Sequence, residues 1–136
     1  MRSPLSVLEF KILKLVNDQR ALVGQPPLAF SPRLMMAARS HSEDMAAHRY
    51  LGYDGPGGDT PADRARASGV SYVELAETVY SAAAGGLDSL PARAVADWLA
   101  SPAHRAKLLS PRLRASAVGL ARAADGTLYV TEDFIR

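Results

Sequence analysis

The histidines and acidic residues of this sequence are the side chains whose types and spacing could support metal binding or acid–base chemistry. Two of the three histidines, His41 and His48, lie seven residues apart in "HSEDMAAH". On a helix this spacing separates them by two turns, about 10 Å, which is too far for both to bind one ion. The HExxH motif of zinc peptidases, with histidines four residues apart, is also absent here. We predict that His41, on an apolar helix face, is a buried histidine with one or two hydrogen bonds, and that His48 is solvated or caps a helix end.

His104 and Glu77 have more distinctive positions. His104 is the third residue of a helix predicted to begin in "SPAHR", where the positive end of the helix dipole disfavours a charged imidazole. A neutral imidazole is the form that binds a metal or accepts a proton, although a histidine at a helix start is often structural. Glu77 lies inside the apolar run 75–80, so alternation leaves open whether its carboxylate faces solvent or points into a cleft. The sequence has no G-x-S-x-G motif to mark a serine nucleophile.

The glycine-rich loop "RYLGYDGPGGDTPADR", residues 49–64, does not have the chemistry of a phosphate or calcium site. It lacks the Gly-Lys-Ser/Thr of a phosphate-binding loop, and its aspartates lack the alternating oxygen ligands of an EF-hand. Its end predicts a helix start, with Thr60 as the N-cap, Pro61 in the first turn and Asp63 completing an acidic capping box. The rest of the loop is either a solvated connection or one wall of a site.

Apolar periodicity predicts two long helices in the first third of the chain. The first covers residues 5–22 and ends before Gly24, with an apolar stripe at Leu5, Leu8, Ile12, Leu15, Val16 and Leu22. The second has Ser31 as its N-cap and Pro32 in its first turn, and it ends near His48. Its inward stripe is formed by Leu34, Ala38, His41 and Met45.

The middle of the chain predicts shorter helices and one strand. The short helix after Thr60 closes at Gly69, and residues 74–80 have the composition of a strand. A third N-cap, Ser101, precedes Pro102 and is predicted to begin a further helix. Between the predicted strand and this helix, residues 88–101 are predicted to form another helix, with a buried face at Val95, Trp98 and Leu99.

The last third of the chain predicts a β-hairpin. Residues 116–123 and 127–135 resemble strands, and Asp125 and Gly126 between them tolerate the positive backbone dihedrals of a tight turn. The element order indicates an α+β fold in which helices cover an antiparallel sheet.

Length and composition limit the classes of protein to which this chain can belong. Its 136 residues suffice for one domain, 1–136, and no apolar run approaches the roughly eighteen residues of a membrane span. The net charge is +2 with scattered basic residues, so no nucleic-acid partner is expected. There is no cysteine, and Lys11 and Lys14 interrupt the apolar run that a signal peptide would need, so we expect no signal peptide in these residues.

Five stretches of the sequence, in order and with matching spacing, resemble a known family. They are "LVNDQRALVGQPPLAFSPRLMMAARSHSEDM", "YLGY", "TPADRARASGVSY", "LAETV" and "WLASPAHRAKLLSPRLRASAVGLA". Together they resemble the bacterial, SCP-like branch of the CAP superfamily, which includes cysteine-rich secretory proteins, antigen 5 and class 1 pathogenesis-related proteins. The resemblance covers about residues 13–134 and implies an α-β-α sandwich with a small antiparallel sheet between helices. It also implies a secreted or cell-envelope protein.

The resemblance also implies a cleft whose two histidines and two glutamates bind zinc in some members. Glu77 in "AETV" matches the glutamate of the family's "GENI", and His104 matches the histidine of W-x-x-S-P-x-H-R. Ser101 stands where some members have the second glutamate, and Tyr53 stands where the first histidine is expected. One imidazole, one carboxylate and a phenol are a poor ligand set for zinc, so we expect a degenerate metal site without tight zinc binding.

Three functions remain open for a cleft formed by Tyr53, Glu77 and His104. The first is a non-catalytic module that binds a small ligand, either a lipid or a cell-wall glycan. The second is a degenerate scaffold or protein-interaction module. The third is a hydrolase or lyase in which Glu77 and His104 form an acid–base pair, and we expect this enzymatic role less than the other two.

Overall fold

The computed structural model describes residues 3–83 and 85–136 as an α+β sandwich, with helices on both faces of a four-stranded sheet. The helices are α1 (Pro4–Leu22), α2 (Pro32–His48), α3 (Pro61–Ala67), α4 (Leu90–Ala100) and α5 (Pro102–Leu108). A 3₁₀ turn, Leu87–Ser89, precedes α4. The strands are β1 (Ala29–Phe30), β2 (Leu75–Ala82), β3 (Ala115–Arg122) and β4 (Leu128–Ile135). The α+β class and the α-β-α sandwich predicted from the sequence are confirmed.

The sheet has the strand order β1-β3-β4-β2 and is mixed rather than purely antiparallel. Strands β2 and β3 both run antiparallel to β4, as predicted, whereas β1 pairs parallel to β3. Strand β1 was not predicted because its two residues are too few to show alternation. It forms where Ala29 and Ser31 donate their backbone N–H groups to the carbonyls of Arg114 and Ser116.

Each face of the sheet packs against its own helices. On one face, α1 and α4 cover strand residues such as Val118 and Phe134, and the indole of Trp98 is fully buried there. On the other face, α2 and α3 cover the alternate residues, including Ala117 and Ala121. Because successive side chains of β3 point to opposite faces and both faces are covered, six consecutive residues of this strand, 116–121, are buried.

Helix α2 lies unusually close to β3, and this contact positions His41. A Cβ built at Gly119 would overlap the backbone of Ala38 and Arg39. The hydroxyl of Ser42 donates to the carbonyl of Gly119 at 2.7 Å. His41 precedes Ser42 in this close contact, and its imidazole lies near β2, with Nε2 3.6 Å from Oε1 of Glu77.

The predicted helix starts are present, and all but one have the capping hydrogen bond expected of them. Ser31 caps α2, and Thr60 and Asp63 form the reciprocal capping box of α3. Ser101 lies at the N-cap of α5, but its hydroxyl makes no capping hydrogen bond, so that part of the prediction is wrong. Ser101 also ends α4, where its N–H donates a hydrogen bond to the carbonyl of Trp98.

Two further predictions differ from the structure. Leu22 was expected on the buried stripe of α1, but it is 78% exposed because the helix ends at that residue. The predicted tight turn between β3 and β4 is present within residues 123–127, where the N–H of Gly126 donates to the carbonyl of Ala123, but Asp125 does not take the positive φ expected of it. Within it only Gly126 has a positive φ, 90°, whereas Asp125 accepts a hydrogen bond from the backbone N–H of Thr127 through its carboxylate.

The core contains charged side chains with specific partners. The guanidinium of Arg20 is fully buried and donates to the carbonyls of Pro26, Leu108 and Ser110 at 2.9–3.0 Å. Glu132 is also fully buried and accepts a hydrogen bond of 2.7 Å from the hydroxyl of Ser116. Burial raises the pKa of Glu132 to about 8. This glutamate is therefore largely protonated at neutral pH.

Candidate functional site

An open cleft of about 470 Å³ lies between the loop before α3, strand β2 and helix α5. Its walls are largely apolar or aromatic, with one cationic side chain. They are formed by Tyr53, Thr60, Pro61, Ala62, Tyr72, Leu75, Ala76, Glu77 and Lys107. The volume lies within the range of pockets that bind small molecules.

Tyr53 lines this cleft and contacts His104, which lies behind it and is not part of the cleft wall. The hydroxyl of Tyr53 lies 3.2 Å from Nε2 of His104, although the two residues are 51 positions apart in sequence. Lys107 Nζ donates to the same hydroxyl at 3.3 Å and to the carbonyl of Glu77 at 2.8 Å. Because an ammonium can only donate, the Tyr53 oxygen accepts from Lys107, and its own proton is then free to be donated to His104 Nε2.

The side chain of Glu77 is buried rather than presented to the cleft. Its carboxylate is 2% exposed and accepts two hydrogen bonds from the guanidinium of Arg64, at 3.0 and 3.1 Å. Its Oε1 atom also lies 3.6 Å from Nε2 of His41. The Glu77 carboxylate thus faces neither solvent nor the cleft but the interior under α2 and α3. Only the backbone carbonyl of Glu77 contacts Lys107.

A second carboxyl group lies beside Glu77 in the sheet. Asp133 is directly opposite Glu77 in the β2–β4 pairing, and both side chains are buried. Burial, together with the negative charge of Glu77, raises the pKa of Asp133 well above its ordinary value. Asp133 therefore favours its protonated form more than an ordinary aspartate does, next to the buried pair of Arg64 and Glu77.

The other two histidines are outside the cleft, as predicted. His41 is fully buried, and its Nε2 lies 2.6 Å from the carbonyl of Gly52, to which it donates. His48 has a side chain that is 57% exposed, and its Nδ1 lies 3.1 Å from the carbonyl of Asp44 within the last turn of α2. Both therefore have structural roles in the arrangement of α2.

Sequence reasoning missed the two cations of the site, Arg64 and Lys107. Arg64 donates to Glu77, to Asp59 at 2.9 Å and to the carbonyl of Tyr53 at 2.7 Å, so it fastens the glycine-rich loop to β2. A sequence signal was present for Lys107, which lies three residues after His104 and therefore on the same face of α5. Arg64 had no comparable signal.

A larger groove, of about 570 Å³, lies on the other side of α5. It is lined by Pro102, Arg105, Ala106, Leu109, Ser110, Pro111 and Arg112. None of the residues predicted to act in the site reaches it. The smaller cleft is therefore the candidate site.

Two further properties concern metals and membranes. Within residues 3–83 and 85–136, no group of three or more His, Cys, Asp and Glu side chains is arranged to hold a metal ion. Across the same described ranges, no helix combines the length and apolar character needed to cross a membrane.

The chain is similar in sequence and structure to bacterial proteins. It is 29% identical over 133 residues to the uncharacterized protein YkwD of Bacillus subtilis, covering 98% of this chain and 49% of that protein. It is also 29% identical to an extracellular SCP-domain protein of Bacillus anthracis, with a TM-score of 0.79, covering 95% of this chain and 40% of that one. The chain thus spans about half or less of the length of these relatives.

A third similarity extends the match in fold. An outer surface protein of Borrelia burgdorferi has a TM-score of 0.79 at 18% identity, covering 92% of this chain and 89% of that one. The family model of the cysteine-rich secretory protein family, CAP, matches residues 13–134. With Tyr53, Glu77 and His104 on the matched segments and the sandwich in place, the chain belongs to the CAP family.

Proposed function

We propose that this CAP domain is a non-catalytic module that binds a small amphiphilic ligand in the cleft between Tyr53, Tyr72, Leu75 and Lys107. The observation that supports the proposal is the cleft itself, which combines aromatic and aliphatic walls with one ammonium group. A lipid presents both an apolar chain and a polar head to such walls, whereas a glycan would use mainly the two tyrosine faces. Lipid is therefore the ligand class that we favour, with glycan as the alternative.

We also propose that the domain acts outside the cell or in the cell envelope. The support is the family, whose description is of secretory proteins, and the Bacillus anthracis relative, which is described as extracellular. The chain covers only part of its relatives, so any anchoring or targeting by the rest of such a protein falls under the same proposal.

The arrangement of Glu77 and His104 supports a binding role over hydrolysis. An acid–base pair must reach the same reacting group with both side chains. Here the Glu77 carboxylate is engaged by Arg64, and the His104 Nε2 atom faces the Tyr53 hydroxyl. Neither group is therefore free to exchange a proton with a substrate in concert with the other.

Zinc does not fit the residues at this site, and we propose that the domain has no tight zinc site. Tyr53 and His104 supply one phenol and one imidazole, and the carboxylate that would complete the set is paired with Arg64. A positive ammonium, Lys107 Nζ, lies 3.3 Å from the Tyr53 hydroxyl and would repel a divalent ion bound there.

Native mass spectrometry of the protein purified from its own host tests the binding role. We expect the wild-type protein to retain a bound lipid. Ala62→Trp should lose it because Ala62 lines the cleft and a larger side chain would fill it. Ala103→Trp, at an exposed position of α5 outside the cleft, is the matched control and should retain the lipid.

Each other outcome of this experiment has a defined meaning. A retained glycan would replace lipid as the ligand class. A bound molecule that survives Ala62→Trp would place the site elsewhere. A protein without any bound molecule, even after incubation with an envelope lipid extract, would contradict the binding role and favour a scaffold.

A further inference from the structure

Lys107 is a cation whose contacts are all with neutral groups. Its ammonium donates to the backbone carbonyl of Glu77 at 2.8 Å and to the phenol of Tyr53 at 3.3 Å, and it lies 4.5 Å from the centre of the Tyr53 ring. Among the residues that the structure describes, no carboxylate forms a salt bridge with it. A lysine ammonium has three N–H donors, so one remains for a ligand.

Three carboxylates of the elements around the cleft have partners of their own. The Glu77 carboxylate accepts two hydrogen bonds from Arg64, and the Asp59 carboxylate accepts one from the same guanidinium. Asp63 in the first turn of α3 takes part in the capping box of that helix and pairs with Arg66. The positive charge of Lys107 is thus not matched by a negative charge at the cleft wall.

Tyr53 and His104 hold this ammonium in place. The Tyr53 oxygen accepts from Lys107 while the Tyr53 proton is directed to Nε2 of His104. Together with the carbonyl of Glu77, this arrangement fixes two of the three ammonium donors. An ammonium that is already oriented loses little conformational entropy when it binds a ligand.

We propose that Lys107 is the anion-recognising residue of the cleft, so that the ligand carries a phosphate or carboxylate head and binds without a metal ion. This inference rests on the proposed binding function and specifies its ligand class. The head group accepts the free N–H of Lys107, and the apolar part of the ligand lies along Tyr72 and Leu75. Tyr53 acts as a positioning residue for the ammonium.

Isothermal titration calorimetry with three probes of equal chain length tests this inference. The probes are dodecyl phosphate, dodecanoate and dodecyl maltoside, each below its micelle concentration and each titrated both without EDTA and with it. We expect the two anionic probes to bind about tenfold more tightly than the neutral one, the effect of one charge-assisted hydrogen bond. The comparison of the affinities for dodecyl phosphate and dodecanoate identifies the preferred head group.

Variants separate recognition by Lys107 from a merely structural role. Lys107→Met should bring the affinities for the anionic probes and for dodecyl maltoside, all measured with that variant, to the same level, whereas Lys107→Arg should keep the preference for the anionic probes. Lys11→Met, which removes the same charge from an exposed position of α1, should keep it. Circular dichroism of each variant shows whether the fold is intact.

The possible failures are distinguishable. Equal binding of anionic and neutral probes, or a preference that survives Lys107→Met, would overturn the role of Lys107 and leave the binding function standing. Loss of all binding by EDTA would show that a metal ion recognises the head group instead. If no probe binds to the wild-type protein, the proposed function itself fails.

Discussion

The guanidinium of Arg64 donates to both carboxylate oxygens of Glu77, at 3.0 and 3.1 Å, and both side chains are buried. A buried ion pair of this kind costs desolvation energy when it forms, but the removal of one partner leaves the other charge without compensation. The pair therefore contributes to the placement of the glycine-rich loop as well as to stability, because the same guanidinium donates to the carbonyl of Tyr53.

Arg64→Met should lower the free energy of unfolding by about 3–5 kcal/mol, since it leaves the Glu77 carboxylate buried and unpaired. Urea denaturation measures this loss. Arg66→Met is the matched control, because Arg66 is exposed on the same helix and its pair with Asp63 is worth about 0–1 kcal/mol. The double variant Arg64→Met/Glu77→Leu should recover most of the lost stability, and a cost below about 1 kcal/mol for Arg64→Met alone would contradict the pairing.

Glu132 should make the protein less stable as the pH rises. Its pKa is 4.5 in the unfolded chain and about 8 in the fold, so between these values only the unfolded state releases the proton. The stabilisation that comes from keeping the Glu132 proton in the fold is complete below pH 4.5. It is lost progressively as the pH rises to about 8, in total a few kcal/mol. Asp133, whose pKa is also raised, acts in the same direction.

Glu132→Gln should therefore flatten this dependence and raise stability most in alkaline solution. Denaturant unfolding at several pH values between about 5 and 9 tests it. Glu43→Gln, at an exposed position of α2, should leave the wild-type pH profile unchanged. An identical slope in Glu132→Gln and wild type would mean that Glu132 is ionised in the fold.

Gly119→Ala should destabilise the protein by about 3 kcal/mol or more, because the new methyl group would overlap the backbone of α2. Thermal and urea unfolding provide the measurement. Gly57→Ala is the control, since a Cβ at Gly57 meets no atom within 4 Å. A well-tolerated alanine at position 119 would show that α2 can move away from β3 at little cost.

Tyr53→His should raise zinc affinity only modestly while Lys107 is present, because the ammonium would remain beside the new imidazole. The double variant Tyr53→His/Lys107→Met should bind zinc at least about tenfold more tightly than Tyr53→His alone, since removal of a nearby like charge favours the ion. Calorimetric titration with zinc compares them with wild type. A wild-type protein that already binds zinc tightly would contradict the proposed absence of a zinc site.

The sequence predicted the helices and the hairpin well because those features have local causes. Periodicity and N-cap residues such as Ser31 and Thr60 act within a few positions of the chain, and the structure confirms both caps. Strand β1 has no local cause, since its two residues are extended only because β3 lies beside them. Leu22 was placed incorrectly because periodicity does not show at which residue the buried face ends.

The site was predicted only in part for a related reason. The resemblance identified Tyr53 and His104, which the structure brings within 3.2 Å, and their role in binding stays a prediction. Arg64 and Lys107 were missed because a basic side chain is ordinarily solvated. Their partners here, the carboxylate and the carbonyl of Glu77, lie 13 and 30 positions away along the chain.

The buried guanidinium of Arg20 has a consequence for the order of folding. Three of its acceptor carbonyls, those of Leu108, Ser110 and Leu113, are 88–93 positions further along the chain. Until that segment has folded, the Arg20 guanidinium must stay hydrated, and the C-terminal turn of α1 cannot pack against the core. Closing so long a loop is slow and entropically costly. Helix α1, although it comes before the other described elements in the sequence, is thus among the last of them to be completed.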